Sequence, residues 1–331
     1  MRRAAWGGVS ACELCYTPSM QGLRIVVTGA TGFIGRALCR RLGDPRTWTA
    51  VGRTDAEQLG LPVAFNTVDL QDEMSARGAI PPGTDVLVHL AAHRGGPNDA
   101  TGHFRGTAAA TMFLCDAAKR AGVKRVVLAS STSVYEPSND IDRLMTEDAP
   151  RVRFRPLAYG YAKKWAEDAA RLQAMLAEPA MQLWTLRIGM VVGPGQRPSS
   201  WLSTTMARLR AGEPYPLVGE RGHRLALVAL DDVVDTLAVA IAGDPPRDTP
   251  KPGPLWNVAS ESWFERDAVE LMAKAAGLSA RFAASSAPDP FGWNERPLSL
   301  AVDGSRWKVG MGAIAGRPIE PLLAAIARGE D

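Results

Sequence analysis

The stretch Arg24-Ile-Val-Val-Thr-Gly-Ala-Thr-Gly-Phe-Ile-Gly35 constrains this chain more than any other. A β-branched apolar run, Ile25 to Val27, stops at a glycine-rich turn, and a helical pattern opens at once with Phe33, Ile34, Leu38 and Leu42. Gly29, Gly32 and Gly35 stand at the spacing G-x-x-G-x-x-G, where missing side chains permit a tight turn, close approach of a pyrophosphate, and contact between helix and strand. Free amides at the helix start face the anion. The turn residues Gly29, Thr31, Gly32, Phe33, Ile34 and Gly35 are therefore the first candidate cofactor contacts.

From Leu23 onward, strand and helix signals alternate, the pattern of a parallel sheet covered on both faces. Strands are expected at 24–28, 48–52, 63–67, 84–90, 124–129 and 182–188, with helices at 33–42, 105–121 and 159–177. Right-handed crossovers make this an α/β chain with a Rossmann-type doubly wound sheet and its ligand site at the carboxyl ends of the strands. Residues 1–22 show no period and are expected to be a disordered leader. Cys12 and Cys15 within it lack the second pair that a metal site needs. Four cysteines with one close pair fit a reducing cytoplasm. The net charge of +3 is the difference of 38 basic and 35 acidic residues spread along the chain, which argues against nucleic acid as a partner, and no apolar run reaches membrane-spanning length.

Several strand ends carry polar residues where a ligand would lie. After the second strand comes Arg53, where an acidic residue would select NAD. Its guanidinium, with that of Arg36, suits the 2′-phosphate of NADP, and Asp55 would restore NAD if the strand end shifted by two residues. Asp69 and Leu70 follow the third strand, with Asp69 either accepting from the adenine amine or capping a helix over 71–80. The fourth strand ends in Leu90, Ala91 and Ala92, small enough to leave room for a flat cofactor. The fifth runs into Ser130-Ser-Thr-Ser-Val-Tyr135, and Tyr159-Gly-Tyr-Ala-Lys163 opens a later helix. Residues four apart share a helix face, so the Lys163 ammonium is expected to lower the Tyr159 pKa toward neutrality.

Together these stretches resemble the extended short-chain dehydrogenase/reductase family, also described as the NAD-dependent epimerase/dehydratase family. The likeness covers roughly 23–330. It also rests on Gly106-Thr107, Arg187-Ile-Gly-Met-Val-Val-Gly-Pro-Gly195, Leu230-Asp-Asp-Val233 and Trp256-Asn-Val-Ala-Ser260. It implies that Tyr159 is the general acid/base, that Lys163 binds the nicotinamide ribose, and that Ser131 holds the reacting oxygen, with Thr132 and Ser133 as close competitors. It further implies a cofactor-binding domain of 23–188 with 225–260, whose strands near 225–229 and 255–258 return to the main sheet, a substrate lobe of 189–224 with 261–331, and a homodimer paired through 105–121 and 159–177.

His93, Thr132, Met190, Arg197 and Arg224 are the candidate substrate contacts. Two departures from the nucleotide-sugar members stand out: His103 and Met190 each occupy a position where many of them carry Asn. Met190 cannot make the same hydrogen bonds, which weakens a standard sugar-diphosphate grip. His89, His93 and His103 lack an acidic companion at metal-ligand spacing, so no metal is expected. The expected activity is hydride transfer at an alcohol/carbonyl carbon of a sugar or other small hydroxylated substrate with NADP, or NAD in its place. The alternatives are a nucleotide-sugar epimerase with retained cofactor and a non-catalytic NADP-binding protein. A 4,6-dehydratase would need an Asp-Glu pair where Thr132-Ser133 stands.

Overall fold

The computed structural model describes residues 20–53, 60–96, 98–246, 249–285, 296–312 and 316–330, so the leader with Cys12 and Cys15, and also Asp55, lie outside the described residues. In chain order the first half comprises β1 (Ile25–Thr28), α1 (Phe33–Leu42), β2 (Trp48–Gly52), β3 (Ala64–Thr67), α2 (Glu73–Arg77), β4 (Val86–His89), α3 (Ala100–His103), α4 (Ala110–Arg120), β5 (Arg125–Ser131) and α5 (Ala158–Met175). The second half comprises β6 (Gln182–Ile188), β7 (Met190–Val192), α6 (Trp201–Arg210), β8 (Tyr215–Leu217), β9 (Arg224–Ala229), α7 (Leu230–Ala242), β10 (Leu255–Val258), β11 (Glu261–Phe264), α8 (Glu265–Ala275), β12 (Phe282–Ala284), α9 (Ser305–Met311) and α10 (Ile319–Arg328).

Among the described residues the main sheet has seven strands in the order β10-β6-β5-β4-β1-β2-β3, and every neighbouring pair is parallel. Alternation of side chains sorts each apolar strand onto two faces. Ile25, Val27, Val86, Val88 and Val127 pack on one side with α1 and α7, and Val26, Leu87, Val126 and Leu128 pack on the other with α4 and α5. Chain order reverses between β1 and β4, which opens the crevice at the carboxyl ends of those strands where open α/β sheets bind ligands.

Two expectations are corrected. The strand at 224–229 does not return to the main sheet: β9 pairs with β7 and β11 in a separate three-stranded sheet, whereas β10 does join β6 as expected. Its apolar run signals burial, and burial is available elsewhere: Leu225, Leu227 and Ala229 pack with Leu202, Met206, Val269 and Leu323 of the C-terminal lobe, while Val228 packs with the main core. The helix expected over 105–121 is interrupted, because Phe104–Ala109 forms a π-helical turn between α3 and α4. A Cβ on Gly106 would lie 2.8 Å from the His93 Cβ, so the wide turn and the glycine together make room for that ring. No described helix is long and apolar enough to cross a membrane.

Gly35 is buried in the turn of α1, and a Cβ there would meet the Gly29 carbonyl oxygen at 2.2 Å and the Ala30 Cα at 2.7 Å, both of them backbone. Gly35→Ala is therefore expected to destabilise the protein by about 1–3 kcal/mol through overpacking, read as a lowered urea midpoint.

Candidate active site

A cleft of about 890 Å³ runs along the carboxyl ends of β1, β2, β4, β5 and β6. Its floor is the glycine turn. Gly29 takes φ +72°, and a Cβ there would come within 2.7 Å of the Ala91 nitrogen, so only glycine lets β1 turn this closely against the end of β4. Thr31, Gly32, Phe33, Ile34 and Gly35 line the same cleft, as do Leu90, Ala91, Ala92 and His93. The Gly32 amide donates to the Gly29 carbonyl at 2.9 Å and the Arg36 amide makes the first helical bond, to the Gly32 carbonyl at 2.8 Å, so the amides of Phe33, Ile34 and Gly35 are the ones at the helix start left for an anion.

At the far end of the cleft stand Arg53, Asp69 and Leu70. Arg53 is exposed just past β2, and among the described residues it has no ion pair. Asp69 accepts from the Gln71 amide at 3.0 Å, and the helix cap is Asp72 instead, whose carboxylate accepts from Ser75 at 2.7 Å. Helix α2 accordingly begins later than expected. Arg36 is half-buried and does not line the cleft.

At the other end the residues of β5 and α5 converge. Ser131 and Tyr159 both line the cleft, the Ser131 hydroxyl donates to that of Ser133 at 3.2 Å, and the Lys163 ammonium donates to the Ala129 carbonyl at 2.7 Å. Lys163 Nζ lies 5.9 Å from the centre of the Tyr159 ring. A Cβ on Gly160 would lie 2.3 Å from the Ser133 carbonyl, so glycine next to Tyr159 lets α5 sit directly on the turn after β5. Ser131 lines the cleft, whereas Thr132 and Ser133 line only an adjoining cavity of about 500 Å³.

The electrostatics differ from the expectation that Lys163 draws the phenol toward neutrality. Burial pushes the Tyr159 phenol above its ordinary pKa, and the groups pulling it down are Ser131, Arg197 and Arg94. Lys163 is only 4% exposed and burial draws its ammonium down to about 8, with the Glu167 carboxylate acting in the opposite direction. Glu167 stands one turn beyond Lys163 and accepts from Arg187 Nε at 2.9 Å, from Arg187 Nη2 at 2.8 Å and from the Ser130 hydroxyl at 2.6 Å. Arg187 Nη1 donates to the Tyr135 hydroxyl at 2.7 Å, which donates in turn to Asn257 at 2.6 Å.

The histidines separate by environment. His89 is a core residue whose two ring nitrogens are bonded to Thr28 at 2.6 Å and Thr111 at 2.9 Å. His93 pairs with Asp99 at 2.6 Å, and this bond, with that from the Gly102 amide, holds the Asp99 carboxyl below its usual range. His103 stacks edge-on to both His93 and Tyr159, with centroids 5.2 and 5.7 Å away. Of the remaining candidates, Met190 and Arg197 line the cleft. Arg224 lines neither cavity, because its guanidinium is tied to the Asp142 carbonyl at 3.0 Å and to Ser262 at 3.2 Å. Arg94 was not singled out from sequence, although a cation immediately after the small residues of a strand end was the available signal. Its Nη2 would lie 2.7 Å from a Cβ on Gly32, and it faces Arg36, Arg197 and Tyr159.

The model of the NAD dependent epimerase/dehydratase family matches residues 25–259. The chain belongs to that family. It is 28% identical over 238 residues to a dTDP-4-dehydro-6-deoxy-D-allose reductase of Streptomyces sp, covering 64% of this chain and 71% of the relative. It is 28% identical over 244 residues to 2'-dehydrokanamycin reductase of Streptomyces kanamyceticus, covering 72% of this chain and 63% of that protein. Among solved structures, MoeE5 in complex with UDP-glucuronic acid and NAD is 27% identical, with a TM-score of 0.72 and coverage of 91% of this chain and 96% of that one. The chain is thus an enzyme of a family whose members here include sugar reductases.

The buried Lys163 supplies a pH test. Its ammonium pKa falls from 10.5 to about 8 on folding, so the charged form is penalised below pH 8 and the penalty is relieved as pH rises toward 10.5. Lys163→Met is expected to stabilise the fold at pH 7 by about 1–3 kcal/mol, a gain that shrinks above pH 8 in urea titrations.

Proposed function

We propose that this protein is an NADP-dependent oxidoreductase that interconverts a carbonyl and an alcohol on a small substrate related to sugars, with Tyr159 as general acid/base. The observation that carries the reading is the placement of Ser131 and Tyr159 together in the wall of the cleft, with Lys163 buried one turn along the same helix. Bound NADPH would supply the hydride for reduction, and on the protein's side Tyr159 gives its proton to the carbonyl oxygen while Ser131 donates a hydrogen bond to that oxygen. Arg94 and Arg197 favour the phenolate that remains, and their direction of effect on Tyr159 supports this. Lys163 orients the nicotinamide ribose. Gly29, Gly32, Phe33, Ile34, Gly35, Arg53, Asp69, Leu70 and the 90–92 backbone hold the rest of the cofactor.

The preference for NADP rests on Arg53, a strand-end cation in the cleft wall with no ion pair to a described residue. Residues 23–188 with 225–260 serve as the cofactor domain and 189–224 with 261–331 as the substrate lobe. Phe104, Trp165, Leu172 and Met175 are exposed apolar side chains on the helical segments from 104 to 175, and in this reading they pair two copies in a cytoplasmic homodimer.

Tyr159→Phe is expected to keep NADP binding and to lower turnover by about 10²–10⁴-fold, measured as absorbance change at the nicotinamide band with a panel of keto-sugars and nucleotide sugars. Near-normal turnover by that variant would remove Tyr159 from its role. Conversion of a nucleotide sugar without net cofactor oxidation would instead identify an epimerase. Arg53→Ala is expected to weaken NADP by roughly 1.5–3 kcal/mol while leaving NAD within a factor of two, read by fluorescence titration of both cofactors. Tighter NAD than NADP binding by the unmodified protein would sink the NADP assignment.

A further inference from the structure

Ser131 and Tyr159 have a second side. Together with Gly189 and Met190 they line both the cleft and the adjoining cavity of about 500 Å³, so the two side chains form part of the partition between them. If the glycine-turn cleft holds the dinucleotide, as the proposed function has it, the smaller cavity is where the group flanking the reacting carbon must go. Its volume lies within the range of small-molecule sites.

What lines that cavity is unlike a sugar site. Its walls are Pro137, Met145, Leu157, Met190, Leu225 and Leu300, with further proline and alanine, and no Asp, Glu, Asn, Gln, Lys, Arg or His is among its described lining residues. Its few hydroxyls are mostly committed. Ser131 and Ser133 are bonded to each other at 3.2 Å, and the Tyr135 phenol donates to Asn257 while accepting from Arg187. Thr132 and Tyr159 are the remaining side-chain hydroxyls, and Tyr159 is the one assigned to the reacting oxygen. A ring bearing several hydroxyls would exchange water for carbon at most of them, and each buried hydroxyl without a partner costs roughly tenfold or more in affinity.

We infer that the substrate presents an alkyl-substituted, hydroxyl-poor ring face to this cavity: among sugar-related ring ketones, the enzyme takes one whose carbonyl is flanked by deoxygenated carbons. The only polar group such a face must offer is the carbonyl oxygen, which meets Ser131 and Tyr159 at the partition. Specificity then comes from rejection, because a polyhydroxylated ring of the same size loses its water and gains no partners. The inference rests on the proposed function for the identity of the reacting pair, and it adds the chemistry of the neighbouring atoms.

A matched pair of ketones isolates the variable. 4-tert-Butylcyclohexanone and a pentahydroxycyclohexanone (inosose) share the ring and the carbonyl and differ in what the ring carries. With the NADPH-loaded protein, kcat/KM for the alkyl ketone is expected to exceed that for inosose by about 10²-fold or more. Binding to the NADP-loaded protein, followed by saturation-transfer NMR, is expected to show the same order. Leu300→Asn and Leu157→Asn, each placing an amide in the wall, should lower the alkyl preference by about tenfold with NADP affinity unchanged. Equal or better use of inosose overturns the inference, as does failure of the protein to bind either ketone. Two failures are separable. Preference for inosose with an inactive Tyr159→Phe variant removes the apolar-face inference alone, and an alkyl preference with a fully active Tyr159→Phe variant removes the acid/base reading alone.

Discussion

The bidentate ion pair between Arg187 and Glu167 is the interaction on which the rest of the site depends. Arg187 stands on β6 and Glu167 on α5, and both are nearly inaccessible to water. Charges this deep are tolerable only when well partnered, and here Ser130 from β5 donates to Glu167, while Arg187 also donates to Tyr135 and to the Glu147 carbonyl at 2.8 Å. Asn257 of β10 closes the network by accepting from Tyr135 and by donating its backbone N–H to the Glu147 carboxylate at 2.9 Å. The helix that carries Tyr159 and Lys163 is thereby locked to the strand ends that carry Ser131, and its rotation is set to within the tolerance of a bidentate bond. Loss of one partner would leave the other as an uncompensated buried charge, a change in the range of about 3–5 kcal/mol.

Glu167 also touches the chemistry. It is the carboxylate that opposes the desolvation of Lys163, so the same side chain that anchors the helix keeps an ammonium within a wall that would otherwise neutralise it. The phenol receives its stabilisation from another direction, from Arg94 after β4 and Arg197 after β7. Positive charge therefore reaches the reacting pair from the cleft side, and the side facing the smaller cavity is apolar. This asymmetry divides the wall into a cationic face and an apolar face.

His93 illustrates how much of the cleft is shaped by residues with no side chain. A Cβ on Gly95 would lie 2.5 Å from its Nε2, one on Gly102 would lie within the same ring's contact distance, and Gly106 underlies its Cβ. Three glycines, spaced by loop and helix, leave room for one imidazole and its bond to Asp99. The π-helical turn after His103 is the backbone counterpart of that cradle.

The glycine spacing, the alternation of apolar strands with helices and the polar strand ends were enough to determine the parallel sheet, the place of the cleft and most of the residues around it. These features are local: a turn needs glycine where φ is positive, and a two-residue or 3.6-residue period reports burial directly. Tyr159 and Lys163 were legible as a pair because four residues of one helix share a face, whereas Ser131 was set apart from Thr132 and Ser133 only by likeness to the family's pattern. Tertiary structure alone decided which partners the charged groups found. Arg187 and Arg224 read alike in the sequence, yet one is buried against Glu167 and the other is held at Asp142, while Arg94, unremarkable in the chain, faces the phenol. It also decided that β9 leaves the main sheet, because an apolar run states that a strand is covered and not by what. The sign of the Tyr159 shift was likewise beyond the sequence, since desolvation depends on the depth of the site in three dimensions and opposes what a lysine four residues away suggests.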